Sequence, residues 1–163
     1  MKYFRPRLQL RSGLILAVVS VITASPVMAE TSNFGKLSLA PGFSPAQGTV
    51  EGYTGGSYSL SAISNRDRDR NACIGFADPK PDHVMVLEKD FSQLNIRVNS
   101  GGKDTTLLIQ GPDDETIRCG DDTGKRKDAS IQGSDWKAGT YKIWVGTFNS
   151  KDKGNYTLRV EQP

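Results

Sequence analysis

Short runs in which apolar and polar residues alternate, separated by clusters rich in Gly, Asn and Asp, fill the sequence from Tyr58 onwards. A period of two places successive side chains on opposite faces of a β-strand. The pattern predicts an all-β, antiparallel, jelly-roll-like sandwich of about eight short strands, with low helix content. The predicted strands are 58–63, 83–88, 94–98, 105–110, 116–119, 129–132, 141–145 and 156–160.

The first 29 residues have the three zones of a cleaved secretory signal. Residues 1–11 carry four basic residues and no acidic one, and residues 12–24 form an apolar stretch. Val27 and Ala29 then provide a cleavage site before Glu30. A transmembrane anchor is disfavoured, because spanning a bilayer takes about 20 apolar residues. The sequence predicts a secreted or periplasmic protein with no stable membrane insertion after cleavage.

Cleavage changes the net charge of the chain. The full sequence has 21 basic and 18 acidic residues, and cleavage removes four of the basic ones. The remaining chain is slightly acidic, whereas binding to nucleic acid requires a surplus of basic residues on the domain itself. Nucleic acid is therefore not a predicted partner.

The chain after the predicted cleavage site divides into a lead-in segment rich in Gly, Ser and Pro, 30–56, and a β-sandwich domain, 57–163. Within the lead-in, 37–43 is predicted as a short strand or hook. Cys73 and Cys119 are the only cysteines. In an oxidising compartment such a pair predicts a disulfide, with two buried free thiols as the alternative.

Six motifs follow one another between Cys73 and Val160. They are Pro81-Asp-His-Val84, Asp104-Thr-Thr-Leu107, Gly111-Pro112, Cys119-Gly-Asp-Asp122, Trp136-Lys-Ala-Gly-Thr-Tyr-Lys-Ile-Trp-Val-Gly146 and Gly154-Asn-Tyr-Thr-Leu158. The series resembles the bacterial pre-peptidase C-terminal domain family, here as a stand-alone exported member. The resemblance implies a non-catalytic, jelly-roll-like β-sandwich, which in some relatives binds a polymer such as collagen or polysaccharide and in some binds calcium.

Catalysis by a Ser-His-Asp triad depends on a histidine base, and His83 is the only histidine. His83 lies in an apolar predicted strand, where most histidines are structural or surface residues. The stretch Gly120-Asp-Asp-Thr-Gly124 is similar to the Gly-Asp-Ser-Gly-Gly motif of chymotrypsin-type peptidases, but Asp122 replaces the nucleophilic serine. No catalytic residue is predicted, and a hydrolase that uses His83 is kept as an alternative. One histidine and two paired cysteines also do not make a zinc site.

Acidic residues in the predicted loops offer oxygen ligands of the kind that calcium binds. They are Asp104, Asp113, Asp114, Asp121 and Asp122. Loops at one end of a sandwich can converge, so these residues are the candidate calcium ligands; the alternative is that Asp simply forms turns well. Asp67-Arg-Asp-Arg-Asn71 lacks the glycine of an EF-hand loop and is predicted to be a solvated loop of alternating charge.

Two tryptophans are the candidate ligand-binding residues. Trp144 alternates with Tyr141, Ile143 and Val145, so it points away from the predicted core, and Trp136 lies in the preceding turn. An outward tryptophan can stack on a sugar ring or a peptide. The alternative is that both tryptophans pack under the N-terminal segment as a second core.

These features predict an exported, non-catalytic β-sandwich that binds an extracellular polysaccharide or protein, or has a structural role in the cell envelope. A structural protein stabilised by calcium is the alternative, and a hydrolase is a weaker one.

Overall fold

The computed structural model describes residues 1–2 and 31–163. Nearly all of the predicted signal segment lies outside the described residues. Within the described part, no helix has the length and apolar character needed to cross a membrane. Twelve strands are present there, together with one 3₁₀ turn at Leu60–Ala62. The strands are β1 (Gly35–Leu39), β2 (Thr49–Tyr53), β3 (Tyr58–Ser59), β4 (Phe76–Ala77), β5 (His83–Leu87), β6 (Phe91–Asn99), β7 (Thr105–Gln110), β8 (Ile117–Gly120), β9 (Asp122–Thr123), β10 (Arg126–Trp136), β11 (Gly139–Thr147) and β12 (Asn155–Glu161).

The first sheet is built around β11, which has neighbours on both sides. One edge of β11 pairs with β5, and β1 continues the sheet beyond β5 in a parallel register. Farther along the same edge, Thr147 pairs with Phe76 of β4, which in turn pairs with β3. The other edge of β11 pairs with β7, and β8 lies outside β7.

The second sheet has the order β2-β12-β6-β10-β9, and all its pairs are antiparallel. β10 and β6 are its longest strands, with 11 and 9 residues. The alternation predicted from the sequence is clear in β12, where Tyr156, Leu158 and Val160 are buried and Asn155, Arg159 and Glu161 are exposed.

The main core lies between the two sheets, where the inward side chains of both are fully buried. Trp136, Tyr141 and Ile143 are among its largest members. Each buried side chain of this size contributes roughly 1.5–3 kcal/mol to folding through the removal of apolar surface from water. The predicted all-β, jelly-roll-like sandwich and its low helix content are confirmed.

A second, smaller core covers part of the outer face of the first sheet. The segment between β3 and β5 crosses this face and packs against outward side chains of β7, β8 and β11. The buried members of this second core are Leu60, Cys73, Ala77, Leu108, Ile117, Cys119 and Trp144. The Cys73–Cys119 disulfide lies within it, with an S–S distance of 2.00 Å, and ties the covering segment to β8. The predicted disulfide is confirmed, and this outer face is closed around Trp144 and Leu108.

Two local predictions differ from the structure. The predicted lead-in contributes one strand to each sheet, since β1 pairs with β5 and β2 pairs with β12. The predicted strand 58–63 is wrong beyond Ser59, because the chain turns into the 3₁₀ turn there, and this turn buries Leu60 completely. Alternation of small and apolar residues in this stretch reflects one-sided packing rather than an extended strand.

Candidate binding surface

The outer face of the second sheet is open to solvent and polar. We define the open face by the outward residues of its four long strands. They are Thr49, Glu51 and Tyr53 of β2; Asn155, Thr157, Arg159 and Glu161 of β12; Gln93, Asn95, Arg97 and Asn99 of β6; and Ser130, Gln132 and Ser134 of β10. Amides, hydroxyls and charged groups that can hydrogen-bond a ligand therefore stand on one surface.

The strand register arranges the open face in rows. Ser130, Arg97, Arg159 and Thr49 form one row across four strands. Two arginines thus stand directly opposite each other on neighbouring strands. Such outward pairs have Cβ atoms about 4.5–5.5 Å apart, and like charges in this position destabilise a sheet. The pairing of Arg97 with Arg159 was not predicted, because it needs the register of two strands that are distant in sequence. The only signal in the sequence is an arginine at an outward position of each alternating run.

Tyr53 stands at one corner of the open face, next to Asn155 of β12. Its side chain is 60% exposed, and its ring packs edge-on against Phe34 with centroids 4.6 Å apart. Phe148, in the loop after β11, is also exposed, at 52%. In the described part of the chain these two and Met1 are the exposed large apolar residues. Tyr53 is the one that lies on the open face, so it is the aromatic available to a ligand there.

Both candidate tryptophans are buried, which corrects the prediction that they stack on a ligand. Trp136 is 0% exposed in the main core, where its Nε1 donates to the Gly133 carbonyl at 2.9 Å. The Arg118 guanidinium lies 4.1 Å from the centre of its ring. Trp144 points outward from β11 as predicted, but it is 5% exposed because the covering segment packs on it. The alternative of a second core is right for Trp144, although the segment that covers it lies between β3 and β5 and not at the N-terminus; Trp136 belongs to the main core.

Three of the five candidate calcium ligands come together. Carboxylate oxygens of Asp104, Asp121 and Asp122 lie within 4.8 Å of one another at the end of the sandwich where β7 begins. Lys127 donates from its Nζ to Asp104 Oδ2 at 2.6 Å, so an ammonium already compensates part of this negative charge. Burial, together with the charges of Asp122 and Asp104, raises the pKa of Asp121. Calcium binding here stays a prediction.

Asp113 and Asp114 lie elsewhere. They follow the end of β7, whereas Asp104 precedes its start, so the length of β7 separates them from the other three carboxylates. Asp113 accepts hydrogen bonds from the backbone amides of Glu115 and Thr116, which is the turn-forming role kept as the alternative. Asp114 is 3.4 Å from the Lys142 ammonium. The five residues therefore do not form one calcium site.

His83 is inaccessible. Its ring is 0% exposed, and its Nε2 lies 2.9 Å from the Tyr156 hydroxyl. Its Nδ1 has no well-formed hydrogen bond, although the nearby backbone of Gly35 raises the pKa somewhat. Burial is the larger effect and lowers the pKa of His83 to about 4. A base with no access to substrate or solvent cannot act as the predicted alternative requires.

Asp82, the neighbour of His83, is also buried, at 3% exposed. Its Oδ2 accepts a hydrogen bond of 2.8 Å from the Val145 amide, which lies between the β5 and β4 pairings of β11. Asn33 donates weakly to the other oxygen, at 3.4 Å. Burial outweighs both bonds and raises the pKa of Asp82 to about 7. The Asp82 carboxyl group therefore accepts the hydrogen bond from Val145 that a neighbouring strand would otherwise accept at this edge of β11.

Asp67 forms structural hydrogen bonds within the loop that was predicted to be solvated. Its carboxylate accepts hydrogen bonds from the backbone amides of Asp69, Asn71 and Cys119. The bond to Cys119 covers the free edge of β8 next to the disulfide. Asp67 itself is 8% exposed, while its neighbours from Arg68 to Asn71 are exposed. The prediction of a solvated loop is wrong for Asp67 because a backbone-capping carboxylate and a solvated one look alike in sequence.

The sequence matches no family model and no curated protein. Solved structures similar to it include the pre-peptidase C-terminal domain of a collagenase from Bacillus anthracis, 14% identical, with a TM-score of 0.45 over 77% of this chain and 94% of that one. PliG of Aeromonas hydrophila, a periplasmic inhibitor of g-type lysozyme, is 14% identical, with a TM-score of 0.39 over 78% and 96%. CorA of Methylomicrobium album BG8, a surface-associated copper-binding protein, is 8% identical, with a TM-score of 0.44 over 82% and 100%. The first of these is of the domain type that the sequence resembles, and all three are likenesses in overall fold.

Proposed function

We propose that this protein is an exported, non-catalytic module that binds an extracellular polymer through the open face of its second sheet. The observation that carries the proposal is that the two outer faces of the sandwich differ. The covering segment and the disulfide close the outer face of the first sheet around Trp144 and Leu108, whereas outward residues of β1, such as Lys36 and Ser38, stay exposed. In the described part of the chain, the outer face of the second sheet has no such cover and presents rows of hydrogen-bonding side chains.

The disulfide supports the proposed export, because disulfides persist in oxidising compartments such as the periplasm or the extracellular medium. The burial of His83 supports a non-catalytic role, since the one histidine of the chain cannot reach a substrate.

Exposed Tyr53 allows a direct test, since it stands on the open face and the similarly exposed Phe148 does not. The purified protein is incubated with insoluble polysaccharides and with extracellular-matrix proteins, and the bound fraction is measured. We expect at least one polymer to retain the parent protein, Tyr53→Ala to weaken its retention, and Phe148→Ala to leave it unchanged. Thermal melts of both variants check that the fold is intact.

Retention that falls equally in both variants, or only in Phe148→Ala, contradicts a binding site on the open face. Retention of the parent by none of the polymers contradicts the proposed function as a whole.

A further inference from the structure

Two arginines of the open face, Arg97 and Arg159, are neighbours on adjacent strands, and the face also carries Glu51 and Glu161. Arg97 and Arg159 stand directly opposite each other, with Ser130 and Thr49 as their other neighbours in the row. Among the described residues, no Asp or Glu oxygen lies within 4.0 Å of either guanidinium. Two like charges that stand directly opposite each other destabilise the sheet.

Arg126 adds a third guanidinium to the same place. Together with Arg97 and Arg159 it lines an open concavity of about 230 Å³ on the second sheet. Asp128 also lines this concavity, but its Oδ1 accepts hydrogen bonds from the backbone amide and the hydroxyl of Ser100. Glu161 lies at the rim and forms no ion pair with the arginines. We call Arg97, Arg126 and Arg159 the arginine cluster.

We infer that the arginine cluster binds the acid groups of an acidic polysaccharide that lies along β12. This inference rests on the proposed function and names the substrate class of the same face. Guanidinium groups bind carboxylates and sulfates through paired hydrogen bonds in a planar geometry. Such a ligand supplies the negative charge that the row lacks and removes the repulsion between Arg97 and Arg159.

The composition of the face favours a polysaccharide over an acidic protein. The centres of protein interfaces are enriched in aromatic residues and Met. The open face has one aromatic residue, Tyr53, at its corner, and its other members are polar. Tyr53 and Arg159 are separated by four residue positions of β12, about 13 Å at the rise of a strand. An extended chain that stacks a sugar ring on Tyr53 can therefore reach the cluster with an acid group farther along.

The experiment compares four soluble probes by calorimetry with the purified protein: polygalacturonate, dextran sulfate, neutral dextran and polyglutamate. We expect polygalacturonate, dextran sulfate or both to bind, with affinity that falls as salt is added, and dextran to bind far more weakly. The double variant Arg97→Gln/Arg159→Gln should bind about tenfold more weakly, as expected for the loss of two exposed ion pairs. The control Lys36→Gln/Lys89→Gln removes the same charge from exposed positions outside the open face and should bind like the parent.

Carboxylate and sulfate sources are distinguished by which of the two acidic polysaccharides binds, and either result supports the inference. Three results overturn it: dextran bound as tightly as the acidic polymers, polyglutamate bound at least as tightly as both polysaccharides, or equal weakening in the two double variants. Dextran bound as tightly as the acidic polymers, with this binding abolished by Tyr53→Ala, overturns this inference but keeps the proposed function. The absence of binding to every polymer tested overturns both.

Discussion

Asp82 and His83 are adjacent buried residues whose titrations affect stability in opposite directions. The pKa of Asp82 is raised from 3.8 to about 7, so its contribution to stability is complete below pH 3.8 and is lost as the pH rises through 7. The pKa of His83 is lowered from 6.5 to about 4, so its contribution is complete above pH 6.5 and is lost as the pH falls through 4.

Between pH 4 and 6.5 the two effects oppose each other at about 1.4 kcal/mol per pH unit each. They nearly cancel in the parent protein. Asp82→Asn keeps an acceptor for the Val145 amide and removes one of the two titrations. The free energy of unfolding of this variant should then rise by about 3 kcal/mol from pH 4 to 6.5, relative to the change in the parent.

His83→Gln removes the other titration and keeps a hydrogen-bonding group for Tyr156. Its free energy of unfolding should fall by about 3 kcal/mol over the same pH range, again relative to the parent. Urea titrations followed by tryptophan fluorescence measure these changes, and the comparison with the parent cancels the contributions of the other carboxylates. Profiles that run parallel to the parent in both variants would refute the reasoning.

Three further predictions concern the second core and the charged end of the sandwich. Cys73→Ala/Cys119→Ala opens a loop with a sequence separation of 46 and should lower the free energy of unfolding by about 4 kcal/mol, measured by urea titration; a loss below about 1 kcal/mol contradicts the role given to the disulfide. Trp144→Ala should cost about 3–5 kcal/mol in the same assay and leave polymer binding unchanged once folded, whereas lost binding at unchanged stability would restore the predicted stacking role. Lys127→Gln leaves three neighbouring carboxylates without their ammonium partner, so its Tm should fall, and millimolar calcium should raise that Tm more than it raises the Tm of the parent. Equal melts in calcium and in chelator for both proteins contradict a calcium site.

The strands of the sandwich were largely predictable because period-two alternation reports which side of a strand meets the core. β6, β11 and β12 lie where the alternation places them. β1 and β2 were harder to identify because their short apolar runs lie among Pro and Gly, where turn signals dominate. Their place is decided by pairing with strands that are distant in sequence, such as β5 and β12.

The sequence alone could not predict which outer face of the sandwich is covered and which is open to solvent. Alternation shows that Trp144 faces away from the main core, but not that Leu60 and Ala77 cover it from another part of the chain. Conversely, the arginine cluster depends on the register between β6 and β12, which no local pattern contains. The strand face that each of these residues occupies was therefore predictable from the sequence. Which other residues lie against that face was not.

The most direct measurement of the central claim is an NMR titration of the ¹⁵N-labelled protein with polygalacturonate oligomers. We expect the largest shifts in amide signals to fall on β6 and β12, around Arg97, Thr157 and Arg159, and the covering segment around Cys73 to stay unperturbed. The largest shifts on the covering segment, or around Asp104 and Asp122 at the end of the sandwich, would contradict a binding site on the open face.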